Sequence, residues 1–157
     1  TIWLFGRNST EFWYNSGAAD FPFARVPGVT AEVGCISPYS VAKSPDSGDA
    51  VNGKIFWLGR DRGGYARVYM GQQQAAVPIS TFAVDLALQS YGDLTNAIGN
   101  CYQQRGHQFY VLTLPDAGKT WVYDATVGMW HERCGLDAKG NETRIRANCW
   151  ASAYGNV

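Results

Sequence analysis

The chain has 157 residues, enough for one domain with its own core, and 46% of them are hydrophobic, as in an ordinary globular protein. Charged residues make up only 17%, whereas aromatic residues reach 14%, so the surface must display many rings or be covered by neighbouring molecules, which favours an assembly. The formal net charge is zero, which argues against sequence-specific binding of nucleic acid.

Neither a membrane-spanning segment nor a signal peptide is indicated. No apolar run approaches the roughly 18 residues that cross a bilayer, and the apolar start of the chain lacks a basic leader and a cleavage site. We therefore expect a soluble protein with no membrane partner. The chain opens at Thr1 in what reads as the middle of a strand, so we also expect it to be part of a longer protein.

Apolar strands recur along the chain at a fixed interval. Leu4, Leu58 and Leu112 follow one another at intervals of 54 residues, and each lies in an apolar segment. A turn and a second aromatic strand follow each of them, which predicts one hairpin per unit. The second strands are residues 11–14, 66–69 and 120–123. Two of the turns carry Gly63-Gly64 and Asp116-Ala117-Gly118, which supply the positive φ that tight hairpins require.

Each unit also contains a third strand and an opening strand. The third strands are predicted at residues 21–26, 75–79 and 128–132. The opening strand is marked by cysteine: Cys101 and Cys149 lie in matching Asn-Cys-aromatic triplets, and Cys35 lies in a weaker copy. Four-stranded units of about 50 residues are typical of β-propellers.

The predicted fold is therefore all-β. It consists of β-propeller blades, each a four-stranded antiparallel meander, with about three blades in this chain and one short helix. The blades are expected at residues 1–34, 35–96 and 97–144, and residues 145–157 are expected to begin a further blade. For the helix, Ser80-Thr81 offers an N-cap, and residues 82–89 are rich in helix formers, with Phe82 and Leu86 four residues apart.

A polar segment interrupts the second unit. Cys35 and Leu58 are 23 residues apart, whereas Cys101 and Leu112 are 11 apart, and the excess is explained by residues 44–53, which are rich in Pro, Ser, Gly and Asp. Insertions of this kind lie on one rim of a propeller and contact partners. The predicted partner contacts are Ser44, Pro45, Asp46, Ser47, Gly48 and Asp49.

No metal or cofactor site is predicted. None of the four cysteines, Cys35, Cys101, Cys134 and Cys149, lies in a CxxC pair, and the chain has only two histidines. Buried free thiols of a protein made in a reducing cytoplasm fit this pattern better than a secreted domain with two disulfides, which stays open as an alternative.

Several segments are similar, in the same order and spacing, to those of a known family. They include Ser9-Thr10-Glu11-Phe12-Trp13-Tyr14-Asn15, Ile55-Phe56-Trp57-Leu58-Gly59, Gly106-His107-Gln108-Phe109-Tyr110 and Thr120-Trp121-Val122-Tyr123-Asp124. They resemble the packaged-DNA stabilisation proteins, also called tail hub or tail accessory factors, of short-tailed bacteriophages. The resemblance covers most of residues 9–152 and departs from the family at residues 44–53 and 136–143.

This resemblance implies a structural role without catalysis. It implies a homo-oligomeric ring beneath the phage portal and head-to-tail adaptor, which closes the channel, stabilises packaged DNA and holds the tail needle and tailspikes. It also implies assembly in the host cytoplasm and a place in the tail of the virion. A kelch-like scaffold of cellular origin is a further possibility left open by the residues alone.

A carbohydrate-binding or glycan-cleaving propeller is the main alternative, with His131-Glu132 and His107 as acid and base candidates. It would be favoured if Glu32, Asp85 and Glu132 converged in one pocket. Turn capping and cross-strand pairing are the simpler roles for the carboxylates, which are Glu11, Glu32, Asp61, Asp85, Asp124 and Glu132.

Two further groups of residues have a structural and a functional interpretation. Recurring rings are expected to fill the space between blades and not to form shelves for sugars, and they are Trp3, Trp57, Trp121 and Tyr123. The clusters Arg60-Asp61-Arg62 and Arg144-Ile145-Arg146 are expected to be solvated and not to bind DNA phosphates.

Overall fold

The computed structural model describes residues 1–45 and 53–151, and strands dominate it, which confirms the all-β prediction. Three antiparallel sheets follow one another along the chain, and a short hairpin comes after them. Sheet 1 contains β1 (Ile2–Phe5), β2 (Thr10–Asn15) and β3 (Phe23–Ala31). Sheet 2 contains β4 (Gly34–Cys35), β5 (Ala42–Lys43), β6 (Ile55–Arg60), β7 (Ala66–Gln72) and β8 (Ala75–Pro78). Sheet 3 contains β9 (Ile98–Gln104), β10 (His107–Leu114), β11 (Lys119–Asp124) and β12 (Met129–Glu132), and β13 (Gly135–Leu136) pairs with β14 (Glu142–Thr143).

The number of strands differs among the three sheets. Sheet 3 has the four strands that the sequence predicts, whereas sheet 1 has three within the described residues. In sheet 2 the opening strand is split, because β4 and β5 pair with opposite ends of β6 and a 3-10 helix (Pro38–Ser40) lies between them. The N–H of Leu58 donates to the Ser40 hydroxyl (3.0 Å) and its carbonyl accepts from the N–H of Ile36 (2.9 Å), so the break leaves the Leu58 backbone satisfied.

Two predicted strands lie elsewhere or are missing. The third strand of the first unit begins at Phe23 and continues to Ala31, five residues beyond its predicted end at residue 26. The strand predicted at Asn148-Cys149-Trp150 is wrong, because residues 144–151 belong to no strand. The two predicted glycine turns are confirmed, with φ of 85° at Gly64 and 65° at Gly118.

The predicted helix is confirmed as α1 (Phe82–Ser90), and Thr81 is its N-cap, with Oγ1 accepting from the N–H of Val84 (3.4 Å). The face that it buries differs from the expected one. Val84 and Leu88 are buried, whereas Phe82 and Leu86 are 76% and 50% exposed. The spacing of Phe82 and Leu86 therefore indicated a helix but not its orientation.

Polar contacts attach α1 to sheet 2. The buried Asp85 carboxylate accepts from the Ser80 hydroxyl (2.5 Å) and from Nε of Arg67 on β7 (2.9 Å). The same hydroxyl of Ser80 accepts from the N–H of Val68 (3.1 Å). Since each buried polar group has a partner, the carboxylate fixes the helix without the penalty of an unpaired charge.

The largest core lies between sheets 2 and 3. Phe56 and Leu58 of β6 belong to the same buried cluster as Tyr110 and Leu112 of β10, and the rings of Phe56 and Tyr110 stack with their centroids 5.2 Å apart. Hydrogen bonds also cross this interface, from the Tyr110 hydroxyl to the Ser40 carbonyl (2.8 Å), from the Ser37 hydroxyl to the Ala97 carbonyl (2.7 Å) and from the Trp130 indole to the Ile79 carbonyl (2.8 Å).

Sheets 1 and 2 meet through aromatic rings. Trp3 and Phe5 of β1 lie 6.0 and 5.1 Å from Trp57, measured between centroids, and Trp57 in turn stacks on Tyr69 (5.8 Å). Gly71 lies directly under the Trp3 ring, and a Cβ at this position would overlap the ring carbons. The expectation that Trp3 and Trp57 fill the space between units is therefore confirmed.

The 54-residue interval predicted that Trp3 and Trp57 occupy equivalent positions of a repeat, and this prediction is wrong. Trp3 faces the following sheet, whereas Trp57 faces the preceding one, so the two rings point toward each other. On β6 both Phe56 and Leu58 face the following sheet, whereas Phe109 and Val111 of β10 lie on the face of sheet 3 that is turned away from sheet 2. Because side chains alternate along a strand, positions on equivalent faces are an odd number of residues apart, such as the 53 from Trp3 to Phe56 and the 53 from Phe56 to Phe109, and not 54.

Candidate functional site

The insertion that is predicted to contact partners leaves and re-enters sheet 2 at neighbouring positions. β5 pairs with β6, and the N–H of Ser44 donates to the Lys54 carbonyl (2.8 Å), so the two ends of the insertion are held together. Ser44 is buried and Pro45 is exposed. The remaining predicted contacts lie outside the described residues, and they are Asp46, Ser47, Gly48 and Asp49.

The two histidines occupy separate environments on sheet 3. Nδ1 of His107 lies 2.6 Å from Oδ2 of Asp124, while Nε2 of His131 accepts from Nε of Arg133 (3.1 Å). Burial raises the pKa of Asp124, but the N–H of Thr126 and the His107 ring together outweigh it, so this pKa lies below its ordinary value. Burial and the Arg133 guanidinium lower the pKa of His131, and Asp124 opposes them.

The carboxylates have the structural roles that the sequence suggested. Oδ1 of Asp61 accepts from the N–H of Tyr65 (2.9 Å) in a turn, and Oδ1 of Asp124 accepts from the N–H of Thr126 (2.9 Å). Glu11 pairs with Arg25 on the neighbouring strand (3.4 Å), and Glu132 pairs with Lys119 (2.6 Å).

The three carboxylates that a glycan-cleaving site would require are not brought together. Glu32 pairs with Arg62, Asp85 with Arg67 and Glu132 with Lys119. Each carboxylate is therefore paired with a different basic residue. They also belong to different parts of the fold: Glu32 follows β3, Asp85 lies in α1 and Glu132 lies in β12. Among the described residues, no group of three or more His, Cys, Asp and Glu side chains is arranged to hold a metal ion.

The two arginine clusters are also apart from each other. Arg60, Asp61 and Arg62 line a cavity of about 430 Å³ together with Glu32, Asn8 and Gly64. Arg144 instead bonds through Nη1 to the Ile145 carbonyl and to Oδ1 of Asn148, both at 2.9 Å. Because the acidic residues Glu32 and Asp61 lie beside Arg60 and Arg62, this cavity carries charges of both signs and does not present a basic surface for phosphates.

The cysteines are free thiols in two different settings. Cys35 and Cys101 are partly buried, whereas Cys134 and Cys149 are exposed, so the expectation of buried thiols is wrong for the latter pair. Burial raises the pKa of Cys101 to about 12, which keeps this thiol protonated and unreactive near neutral pH.

A larger cavity of about 610 Å³ lies beside the start of β9, and sequence reasoning missed it. Its lining comes from the 3-10 helix, the segment before β9, the end of β10 and residues 148–150. These segments are far apart in the sequence and share no motif, so only the fold brings them together. The lining residues are Tyr39, Thr95, Asn96, Ile98, Gly99, Asn100, Pro115, Asn148, Cys149 and Trp150.

Within residues 1–45 and 53–151, no helix is long and apolar enough to pass through a bilayer.

A search of curated proteins found no match to this chain. The family described as "Bacteriophage P22 Gp10, beta-propeller" matches residues 1–133, a region that includes all three sheets and α1. The match covers well over half of the chain and agrees with the meanders seen here, so the chain belongs to this family of phage structural β-propeller proteins.

Proposed function

We propose that this chain is part of the tail hub of a bacteriophage virion, where it stabilises packaged DNA as a structural component and not as an enzyme. The observation that carries the proposal is the family match, which extends across sheets 1, 2 and 3. In this hub the protein forms a homo-oligomeric ring below the portal and head-to-tail adaptor, closes the channel, and holds the tail needle and tailspikes. Assembly takes place in the host cytoplasm.

Exposed apolar side chains on sheet 1 support a role in an assembly. Ile2 and Leu4 alternate with the side chains that face sheet 2, and they are 40% and 46% exposed. Tyr14, on the neighbouring strand β2, is 44% exposed and lies on the opposite face of sheet 1, the face of Trp3 and Phe12. Apolar groups that remain on the surface of a folded chain favour contact with another protein.

The charges support closure of a channel over direct reading of DNA. The chain has no net charge, and Arg62 and Arg144 are already engaged by Glu32 and by Asn148. Binding through phosphates would need a basic surface whose cations are available to the backbone of the DNA. The hub would therefore retain the genome by blocking its exit, without sequence-specific contacts.

The insertion at residues 44–53 is the proposed contact with a neighbouring virion protein, through Ser44, Pro45, Asp46, Ser47, Gly48 and Asp49. β5 pairs with β6 and the N–H of Ser44 donates to the Lys54 carbonyl, so the insertion leaves and re-enters sheet 2 at neighbouring positions. Binding residues often lie on segments that connect the rigid elements of a fold.

The test is native mass spectrometry of the full-length protein, alone and mixed with purified adaptor and tail-needle proteins from the same phage. A ring that captures either partner is the expected result. A monomer that captures neither would overturn the tail-hub proposal.

The proposed contact is tested separately by replacing residues 46–52 with a Gly/Ser sequence of equal length. Partner capture should be lost while the ring stays intact. The matched control replaces residues 137–141, an exposed turn between β13 and β14, and should leave capture unchanged. Equal capture by both variants would show that the insertion is not the contact.

A further inference from the structure

Sheet 1 lacks a strand that the other two sheets have. In sheet 3 the opening strand β9 pairs with β10, and in sheet 2 the two parts of the opening strand, β4 and β5, pair with β6. The corresponding strand of sheet 1 is β1, and within the described residues it pairs with β2 alone. The free edge of β1 is therefore the place where an opening strand is missing, and such an edge can accept a strand from another molecule.

Residues 148–150 have the sequence of an opening strand but no sheet to complete. Asn148-Cys149-Trp150 repeats the pattern of Asn100-Cys101-Tyr102, which lies in β9. In a single copy residues 148–150 belong to no strand, and they can become one only when a neighbouring strand shares its backbone hydrogen bonds. The described chain thus contains three strands without an opening strand and an opening sequence without its three strands.

The position of residues 148–150 also suits an opening strand. The opening strands of consecutive sheets are neighbours, because β9 lies next to β5 and next to the 3-10 helix of sheet 2. The Trp150 ring stacks on Tyr102 of β9 with centroids 5.8 Å apart, on the face of sheet 3 that is turned away from sheet 2. A sheet that used residues 148–150 would therefore continue the order of sheets 1, 2 and 3.

The face of sheet 1 that would meet such a neighbour is exposed and apolar. Leu4, Trp57 and Tyr110 follow one another at intervals of 53 residues, and the last two face the preceding sheet. Leu4 lies on the equivalent face but is 46% exposed, because no sheet of the described chain covers it. Ile2 and Phe23, on the same face, are 40% and 38% exposed. A contiguous apolar face of this kind indicates contact with another protein.

We propose that residues 148–150 of one copy pair as an antiparallel strand with β1 of a second copy and complete its sheet 1. Tyr110 of β10 is equivalent to Leu4 by the 53-residue interval, and its partner on β9 is Cys101. The same register places Cys149 of one copy opposite Leu4 of the other. This contact joins copies of the chain and does not depend on the tail-hub proposal.

A second copy suits this role better than the same copy. β-Propellers close with about four to eight blades, whereas the described chain has three large sheets, so pairing within one copy would require a ring of three. Two copies that exchange residues 148–150 bring together six sheets, three from each copy, which is within that range. The exchange makes the two contacts identical, as in a symmetric dimer, and covers the exposed face of each sheet 1.

The test is a disulfide between the paired positions in the full-length protein. Leu4→Cys places a thiol opposite Cys149, which is a free and exposed cysteine. Directly opposite residues of antiparallel strands have Cα atoms about 4.5–5.5 Å apart, a distance that a disulfide spans. Oxidised glutathione should link most of this variant into dimers on a non-reducing gel, and mass spectrometry should identify the linked peptides. Adding Cys149→Ser should abolish the link.

Thr30→Cys is the matched control for the disulfide. Thr30 is exposed on the same face of sheet 1, but it lies on β3, two strands or about 10 Å farther from the free edge of β1, and should form no link to Cys149.

A second pair of variants tests the contact without oxidation. Leu4 and Leu86 are 46% and 50% exposed, so Leu4→Glu and Leu86→Glu should both fold. Only Leu4→Glu should weaken the dimer, by about tenfold or more in sedimentation equilibrium, because it places a charge between two sheets.

Three outcomes would overturn the strand exchange. The first is a Leu4→Cys variant that forms no link although Cys149 reacts with a thiol reagent, since a strand of other origin would then occupy the edge of β1. The second is a link that forms within one copy and leaves a monomer on the gel. The third is an equal yield of dimer from Leu4→Cys and Thr30→Cys. A protein that captures neither adaptor nor needle would contradict the tail-hub proposal and still form the link, so the two failures are distinguishable.

Discussion

Sheet 2 packs against sheet 1 on one face and against sheet 3 on the other, and the two interfaces differ in chemistry. Toward sheet 1 the contact is mainly among aromatic rings, with Trp3 and Phe5 against Trp57. Toward sheet 3 it is a buried cluster closed by hydrogen bonds such as that from Tyr110 to Ser40. We infer that most of the stability of this chain comes from sheets 2 and 3, since buried clusters with satisfied polar groups are the more costly to disturb.

Three leucines spaced 54 residues apart give the most direct test of this difference. Leu58→Ala and Leu112→Ala should each lower the free energy of unfolding by about 2–5 kcal/mol, because both side chains are fully buried and a cavity would remain. Leu4→Ala, the matched control on sheet 1, should cost less than about 1 kcal/mol, because Leu4 is 46% exposed. The measurement is urea denaturation followed by circular dichroism. A loss for Leu4→Ala as large as the other two would contradict the comparison.

Two glycines test how closely each interface is packed. A Cβ at Gly99 would overlap the Ser40 backbone carbonyl and lie 2.9 Å from the Tyr110 ring, whereas a Cβ at Gly71 would meet carbons of the Trp3 side chain. Because a ring can move more easily than a backbone carbonyl, Gly99→Ala should cost about 1–3 kcal/mol and Gly71→Ala less. Gly92→Ala, which meets nothing within 4 Å, is the control. Equal losses at Gly71 and Gly99 in thermal unfolding would count against the distinction.

Two buried tyrosines test the hydrogen bonds. The Tyr110 hydroxyl donates to the Ser40 carbonyl, so Tyr110→Phe should lower the free energy of unfolding by about 1 kcal/mol. The Tyr69 hydroxyl, on the side of sheet 1, has no partner among the described residues, and Tyr69→Phe should be close to neutral. Both values come from chemical denaturation. The reverse order would show that the hydroxyl at Tyr110 adds little to the interface between sheets 2 and 3.

The sequence predicted the strands well because turns and alternation are local signals. Gly64 and Gly118 marked two hairpins correctly, and Thr81 marked the start of α1. The relation between sheets was harder to predict, because a shift of one residue reverses the face of a strand. For this reason the alignment of Trp3 with Trp57 found two rings that touch but assigned them to equivalent positions.

The sites were less predictable than the strands. The structural roles of Asp61 and Glu132 follow from turn and pairing rules that apply within a few residues or one hairpin. The cavity beside β9 depends on Asn96, Pro115 and Trp150, which are separated by tens of residues. No spacing in the sequence shows that these residues meet.

The smallest expected effect is a dependence of stability on pH. It arises on the face of sheet 3 that is turned away from sheet 2, where His107 and His131 both contact the Phe109 ring. Burial and Arg133 lower the pKa of His131 in the folded chain, so between this value and about 6.5 the unfolded chain binds more protons. The contribution of His131 to the free energy of unfolding is therefore fully present above about pH 6.5. It is lost as the pH falls from there through the folded-state pKa, because the unfolded chain takes up the proton first. Denaturation from pH 7.5 to 5 should show a decline that His131→Gln reduces, and Arg133→Gln should also reduce it by removing the repelling charge. An unchanged decline in His131→Gln would assign the acid sensitivity to another group.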